Sequence, residues 1–538
     1  MPAKGFFGQP RNPRGDFRSE TRDRRASLRA EGGPVFEEEP VMHVLHRDAP
    51  SAGIGNDSGG QAPQAWEGMN YAPVTPEVTT ALEALLGSRN VAADLEKREA
   101  YSYDEVAKQF WEEPHLAEVV VFPETTEQVS ALLAFANERH IPVTPRGAGT
   151  GLSGGAVPAC GGIVLSFERM NRILEVDTEN LTITVEPGVV TADISKAAAR
   201  EGLLYAGDPC SGDASFIGGN VAENAGGNKV IKYGPTGASV LALEAVLADG
   251  SVTWFGGKRR KDVTGYDFAH LLVGSEGTLA VITKIVLKLL PLPARVVDLL
   301  VPFPDTESAV TCASKIMTEG KILPASVELM DHRSISLTER FLNTRLPGGD
   351  AGAHLIIQLE GNSAELLADE YERVGDLCRK WGALEVFVAD NRNSRDKLWK
   401  ARKSIAEAVI AFYSKYSKED VVVPTSAVPE LLKALGDLCE RRGLETVTFG
   451  HVGDGNMHVN LLFGEDRQNW KETMEEARRE LYTVTQQLGG TLSGEHGIGL
   501  KRKKYVSHFL DEAQIALMKR VKLAFDPKGI LNPGKLVV

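Results

Sequence analysis

The sequence predicts an α+β protein of two domains with a C-terminal tail. Three observations predict it. From Gly147 to Pro291, short β-rich runs such as GIVLSF, ILEVD, TITVEPG, EAVLADG and LAVITKIVLKL alternate with turns and dense glycine. After Pro293 the pattern changes to a mixture of helices and strands, with VELMD, HLIIQLEG, LWKARKSIAEAVIAF and VTFGHV. A last helical stretch, DEAQIALMKRVKLAF, stops at Asp526-Pro527, where proline cannot continue a helix.

Ahead of this, PEVTTALEALLG places Val78, Leu82, Leu85 and Leu86 at helical spacing. AEVVVFP reads as a buried strand, ETTEQVSALLAFANERH as an amphipathic helix and IPVTP as a second strand. Residues 1–70 differ from the rest. Seven arginines fall within 1–31, and the stretch to residue 70 is rich in Gly, Pro, Glu and Asp with little periodicity. Acidic Asp16, Glu20 and Asp23 among those arginines argue against a transit peptide and for a disordered or loosely docked arm.

Composition narrows the function classes. The formal charge of -13 opposes nucleic-acid binding, which is driven by clustered positive charge. No apolar run approaches the roughly 18 residues of a membrane span. The five cysteines contain no CxxC pair, which excludes a cysteine-ligated iron–sulfur cluster or zinc knuckle and suits a reducing compartment. The expected location is cytoplasmic. Peripheral attachment at the inner membrane and mitochondrial delivery by the Arg-rich start are the alternatives.

Chemistry first shows in PRGAGTGLSGG, Pro145 to Gly155. Glycines let consecutive N–H groups converge on phosphate oxygens. A Rossmann fingerprint needs a helix directly after the glycines, but Gly154, Gly155 and Pro158 block one here. No GK[ST] follows, so this is not a Walker loop. A second segment, Gly207 to Thr236, holds more glycine than core packing requires, and suits backbone lying against a flat, extended ligand. A third, GSEGTLAVIT, makes a tight turn into a strand.

These three segments, in this order, resemble the FAD-binding domain of the vanillyl-alcohol-oxidase superfamily, the PCMH type, over nearly all of residues 75–538. The resemblance implies that FAD is bound by Pro145, Arg146, Gly147, Ala148, Gly149, Thr150, Gly151, Gly154 and Gly155 of the first loop. The second segment would contribute Pro209, Ser215, Gly218, Gly219, Asn220, Asn224, Gly226, Gly227, Tyr233 and Gly234. Glu276, Gly277, Val281 and Asn532 complete the implied set. Some relatives attach the flavin through a histidine where Thr150 stands, so the implied FAD is non-covalent. The chain is then expected to divide into the arm (1–70), the FAD-binding domain (71–295), an antiparallel-sheet and helix substrate or cap domain with a metal site (296–505), and a helix and tail returning to the FAD domain (506–538).

The sharpest signal is GHVGDGNMHVNLLF, Gly450 to Phe463, read as strand, turn and returning strand. The hairpin brings His451 near His458, and His458 shares a strand face with Asn460. Downstream, SGEHGIG sets Glu495 beside His496. Two imidazoles and a carboxylate suit a divalent metal with open positions, Zn2+ first and Mn2+ or Fe2+ next. Singly, each has an ordinary structural reading: Asp454 as a turn former, Glu495 as a partner of Arg502 or Lys503.

HxGDGNxHxN followed by GEHGIG resembles the D-lactate dehydrogenase, D-2-hydroxyglutarate dehydrogenase and glycolate oxidase flavin-subunit group. That resemblance implies His451, His458 and Glu495 as metal ligands, Asn460 as a substrate contact and His496 as general base. LWKARKS implies Arg402 as partner of the substrate carboxylate, a task its two-pronged donor set suits. PASVELMD, Pro324 to Asp331, also matches the group and is read as structural. The implied reaction oxidises a small D-2-hydroxy acid to the 2-oxo acid, with hydride transfer to flavin N5. Relatives acting on hydroxyglutarate place a Thr where Ala406 stands and a lysine that Lys418 matches, so a monocarboxylate, D-lactate or then glycolate, is expected. With no cysteine cluster or CxxCH in the chain, electrons would pass to oxygen, a quinone, a cytochrome, an electron-transfer protein or an iron–sulfur partner subunit. A homodimer is left open. The rival readings are a flavin-dependent, non-redox transferase of the alkyl-dihydroxyacetone-phosphate synthase kind and a metallohydrolase.

Overall fold

The computed structural model describes residues 70–106, 108–111, 115–464 and 468–536. The expected N-terminal arm lies outside these residues except for Asn70. Among the described residues, no helix is long and apolar enough to cross a membrane.

The first half builds two main sheets and a two-stranded ribbon of Leu203–Leu204 with Leu290–Pro291. Strands Val119–Val121, Ile163–Ser166 and Val143–Arg146 run parallel, with Val91–Ala92 antiparallel at one edge. Helix Thr126–Arg139 covers them through Val129, Leu132, Leu133 and Ala136, and Thr125 caps its start by accepting from Gln128 N. The second sheet is antiparallel, in the order 173–177, 182–185, 281–288, 240–246, 252–256. The glycine-rich stretch 207–236 is more helical than its composition suggests, forming Ile217–Glu223 and Val230–Tyr233. Close packing accounts for one of its glycines: a Cβ on Gly218 would stand 2.5 Å from the Pro187 ring.

The second half is a seven-stranded antiparallel sheet, in the order 387–389, 295–303, 353–361, 326–331, 445–451, 456–462, 416–422. Helices Thr306–Thr318, Ala364–Lys380, Val428–Arg442 and Trp470–Gln487 cover one face around the largest apolar core. LWKARKSIAEAVIAF is not one helix but two, Arg392–Lys403 and Ile405–Phe412, which meet at Ser404.

After helix Glu512–Phe525 the chain returns to the first sheet. Val143 N donates to Ile530 O at 2.8 Å, and Asn532 N donates to Val143 O at 2.8 Å. Buried Lys522 gathers Asp526, Thr278 O and Leu531 O, which fixes this return.

Candidate active site

The strands Glu445–His451 and Asn456–Leu462 pair in register His451↔Asn456 and Phe449↔His458, closed by the turn 452–455. On the far side of the second strand, Asp420 pairs with His458 and Lys418 with Asn460. Alternate strand residues share a face, so Lys418, Asp420, Asn456, His458 and Asn460 all lie on one side of the sheet.

Three donor atoms converge there. His451 Nε2 is 3.4 Å from His458 Nε2 and 3.4 Å from Glu495 Oε1, and His458 Nε2 is 3.3 Å from the same oxygen. Donors held about 2.0–2.2 Å from a tetrahedral centre stand roughly 3.3–3.6 Å apart, so this triangle has the dimensions of one face of a zinc-type site. The opposite nitrogen of His451, Nδ1, lies 2.7 Å from Glu328 Oε1, the carboxylate–imidazole support that ligand histidines use.

Three carboxylates stand around this point: Glu328 and Asp420 are buried and Glu495 is part-buried. Burial alone would raise Glu495, but the His451 imidazole holds it down at about 2. Burial would lower His451, yet Glu328 and then Glu495 hold it well above the usual imidazole value. His458 goes the other way: burial pushes it down to about 3. A neutral His458 and an ionised Glu495 are the ligating forms, whereas His451, held protonated between two carboxylates, would give up its Nε2 proton to a bound cation.

Glu328 reaches further. Its Oε2 accepts from Arg402 Nε at 3.0 Å and from Nη2 at 2.7 Å, inside the protein, and the guanidinium lies 4.6 Å from the Phe449 ring centre. Thus PASVELMD, read from sequence as structural, supplies the residue that joins the implied carboxylate-binding arginine to a candidate metal ligand. Arg402 is not an exposed helix arginine. Among the described residues, two of its nitrogens are taken by Glu328, and Nη1 makes no hydrogen bond within the protein.

Asp420 is the second residue the sequence reading missed. Its Oδ2 accepts from Ser493 Oγ (2.7 Å) and from the backbone N–H of Gly494, Glu495 and His496 (2.9–3.0 Å). Its Oδ1 accepts from Asn456 Nδ2 at 2.7 Å. It thereby sets the loop carrying Glu495 and His496. Asn460 is fixed by donating Nδ2 to Val447 O at 3.0 Å. Lys418 is half-buried, and burial lowers its ammonium below the ordinary lysine value.

Glu495 and His496 also line a cleft of about 1300 Å³, measured out to its open mouth. Its other walls include Pro145, Arg146, Gly147, Ala148, Gly149, Thr150, Gly151 and Gly155 from the first glycine segment. Pro209, Gly218, Gly219, Asn220 and Gly226 come from the second, and Glu276, Gly277 and Val281 from the third. The backbone here suits a large ligand laid close against it. A Cβ on Gly147 would rest 3.5 Å from Gly219, while one on Gly219 would meet no protein atom.

Other residues in the implied cofactor set lie off this wall. Gly154 N donates to Asp104 at 2.7 Å, Ser215 Oγ bonds Thr191, and Asn224 caps its helix at φ 52° and accepts from Gly237 N. Gly227, at φ 141°, packs on the Asp208 carbonyl, Tyr233 bonds Glu360, and Gly234 ends a helix at φ 77°. Asn532 ties Gly155 O (2.9 Å) to Glu276 O (2.7 Å). These seven are not among the residues that line the cleft. Glu276 does line it, and its carboxylate also accepts from Ile498 N and Gly499 N at 2.7 Å each. Beside it Glu223 lines the cleft, with one carboxyl oxygen buried and unpartnered among the described residues. Burial and the Glu276 charge raise it well above the carboxylate range.

Two family models match this architecture. The FAD binding domain matches residues 117–256, and the C-terminal domain of FAD linked oxidases matches residues 292–536. The chain is 38% identical over 463 residues to the glycolate oxidase subunit GlcD of Bacillus subtilis, covering 86% of this chain and 97% of the relative. It is 41% identical over 441 residues to a D-lactate dehydrogenase of Archaeoglobus fulgidus, covering 82% and 96%. With a D-2-hydroxyglutarate dehydrogenase of Stutzerimonas stutzeri it shares 32% over 478 residues, covering 86% and 99%.

Among solved structures, p-cresol methylhydroxylase with substrate bound superposes with a TM-score of 0.70 at 18% identity, covering 86% of this chain and 96% of that one. Alkyldihydroxyacetonephosphate synthase gives 0.69 at 19%, covering 87% of each. At those identities the likeness is one of fold. The chain belongs to the FAD-linked oxidase family and is an FAD-dependent oxidoreductase. Within that family it falls in the group of glycolate oxidase subunit GlcD, D-lactate dehydrogenase and D-2-hydroxyglutarate dehydrogenase.

Proposed function

We propose that the protein is a D-2-hydroxy-acid dehydrogenase that oxidises a small monocarboxylate, D-lactate first and glycolate second, to the 2-oxo acid. The observation that carries this reading is that Glu495 and His496 open onto the same cleft as the three glycine segments. A substrate held at the His451–His458–Glu495 triangle therefore lies against whatever fills that cleft. The relatives named for D-lactate and glycolate support the substrate class.

FAD, held non-covalently along the cleft wall, would supply the two-electron acceptor for the hydride lost from C2. A divalent cation on His451, His458 and Glu495, Zn2+ before Mn2+ or Fe2+, would supply Lewis acidity toward the substrate oxygens. The remaining work belongs to side chains of this chain. His496 takes the hydroxyl proton, and burial already depresses its imidazole, so it stands neutral and ready to accept. Arg402, pinned by Glu328, offers Nη1 to the carboxylate, and Asn460 orients the substrate from the sheet. Ala406, where hydroxyglutarate-type relatives keep a hydroxyl, favours a short substrate.

The test is anaerobic bleaching of the yellow protein by D-lactate, glycolate and D-2-hydroxyglutarate in parallel. Fastest bleaching by D-lactate supports the proposal, and fastest bleaching by D-2-hydroxyglutarate moves the substrate to the dicarboxylate. A protein left yellow by all three removes the dehydrogenase reading and favours the non-redox transferase. Acid precipitation that keeps the colour in the pellet would refute non-covalent attachment at Thr150.

A further inference from the structure

Two imidazoles in this site each have a ring nitrogen without a hydrogen-bond partner. His458 Nδ1 and His496 Nδ1 are both buried and unpartnered among the described residues. They stand 3.6 Å from Asp420 Oδ1 and 3.8 Å from Asp420 Oδ2. The rings are stacked, with centroids 5.3 Å apart and planes 8° from parallel, so one carboxylate faces the same edge of both. Asp420 itself cannot drift, because its backbone is in a strand ladder and its oxygens accept from Ser493, Asn456 and three consecutive backbone N–H groups.

We infer that Asp420 is the positioning residue of His496: it holds the ring hydrogen on Nδ1 and so presents the Nε2 lone pair to the substrate hydroxyl. The inference rests on the dehydrogenase reading above, in which His496 is the base. Its physical basis is the cost of the alternative. Each ring nitrogen has a carboxylate near it, Asp420 Oδ2 at 3.8 Å from Nδ1 and Glu495 Oε1 at 3.9 Å from Nε2. Asp420 is fully buried, whereas Glu495 is part-exposed and is the proposed metal ligand, so a hydrogen on Nε2 would leave the Nδ1 lone pair against the less screened charge. A separation of 3.8 Å exceeds a hydrogen bond, but catalytic hydrogen bonds are often long before substrate arrives and tighten in the complex.

The two electrons lost from C2 as hydride would be accepted by bound FAD. The substrate hydroxyl gives its proton to His496 Nε2, and the ring then carries hydrogens on both nitrogens beside the Asp420 charge. An orienting carboxylate that stays ionised does the same for a base in other enzymes. The same carboxylate faces His458 Nδ1, which directs the Nε2 of that ring into the triangle with His451 and Glu495.

The experiment compares wild type with Asp420→Asn as flavin-loaded holoenzyme. Asn keeps one oxygen to accept the loop N–H groups but removes the charge facing the two rings. Four quantities are read: the anaerobic flavin-reduction rate constant with D-lactate, its KM, metal content, and the affinity for oxalate followed by flavin absorbance. The inference expects the rate constant to fall on the order of 100-fold or more. KM and oxalate affinity should stay within about threefold, with metal and flavin retained.

Asp420→Glu restores a carboxylate and should recover part of the rate. It also serves if the Asn variant fails to fold. A rate within threefold of wild type overturns the inference. So does a rate that falls only in step with metal or oxalate affinity, because that marks a purely structural role. A wild type that no 2-hydroxy acid bleaches overturns the dehydrogenase reading and this inference together, whereas a bleached wild type with an unslowed Asp420→Asn overturns this inference alone.

Discussion

Glu328 and Arg402 form a buried ion pair at 2.7 Å, although 74 residues separate them in the chain. The other Glu328 oxygen meets His451 Nδ1 at 2.7 Å, so one carboxylate sets both the proposed carboxylate-binding arginine and a proposed metal ligand. Removing it should disturb both. Glu328→Gln is expected to weaken metal binding about 10–100-fold and to raise KM. Breaking the buried pair should also lower stability by about 3–5 kcal/mol. Metal titration, steady-state kinetics and thermal melting check the three effects.

Arg402→Ala should raise KM for D-lactate at least tenfold. Arg402→Lys should recover little, since an ammonium cannot span Glu328 and a substrate carboxylate in one plane. Unchanged steady-state kinetics in both variants would remove Arg402 from substrate binding.

His451→Ala and Glu495→Ala each delete one corner of the 3.3–3.4 Å triangle. Both variants should lose bound metal and turnover but keep FAD, because His451 is not part of the cleft wall and Glu495 is one of many residues that line it. Elemental analysis beside the flavin-to-protein absorbance ratio reads this directly, and unchanged metal content refutes the ligand assignment.

Asn532→Ala should weaken FAD binding although its side chain is not on the cleft wall. Its amide joins the carbonyls of Gly155 and Glu276, and without it the first and third glycine segments lose their cross-tie. A loss of about 1–3 kcal/mol in cofactor affinity is expected from the orphaned buried carbonyls. Reconstitution of apoprotein with FAD measures it.

Acid should destabilise the metal-stripped protein from about pH 6.5 downward. Burial holds the His458 imidazole at about 3 in the fold, so an unfolded chain takes up that proton earlier and binds more protons between the two values. Stability therefore rises with pH across that window and is lost as pH falls. Glu495, held at about 2, adds a loss below about 4.5 in the same direction. Melting temperatures of wild type and His458→Gln from pH 4 to 7.5 should show a shallower slope in the variant. A steeper slope would contradict the neutral His458.

The sequence by itself determined the parts whose chemistry is local. Three glycine segments in fixed order, HxGDGNxH across a hairpin and Glu495 beside His496 are all short-range patterns, and the hairpin register can be read from alternation and turn residues alone. Short range also misled in one respect. The glycines of 207–236 hide two helices, because close packing and turn formation use the same residue.

Only the tertiary structure decided how those parts became a site. Glu328 lies 123 residues before His451, and Asp420 lies 76 before His496. In the sequence each is a carboxylate within a strand, like many others. Their partners come from strand order in a seven-stranded antiparallel sheet and from one loop folded across its face. Burial then does the rest, since a carboxylate removed from water must be matched by an arginine, an imidazole or backbone N–H groups, and those matches hold Arg402, His451 and the loop that carries His496.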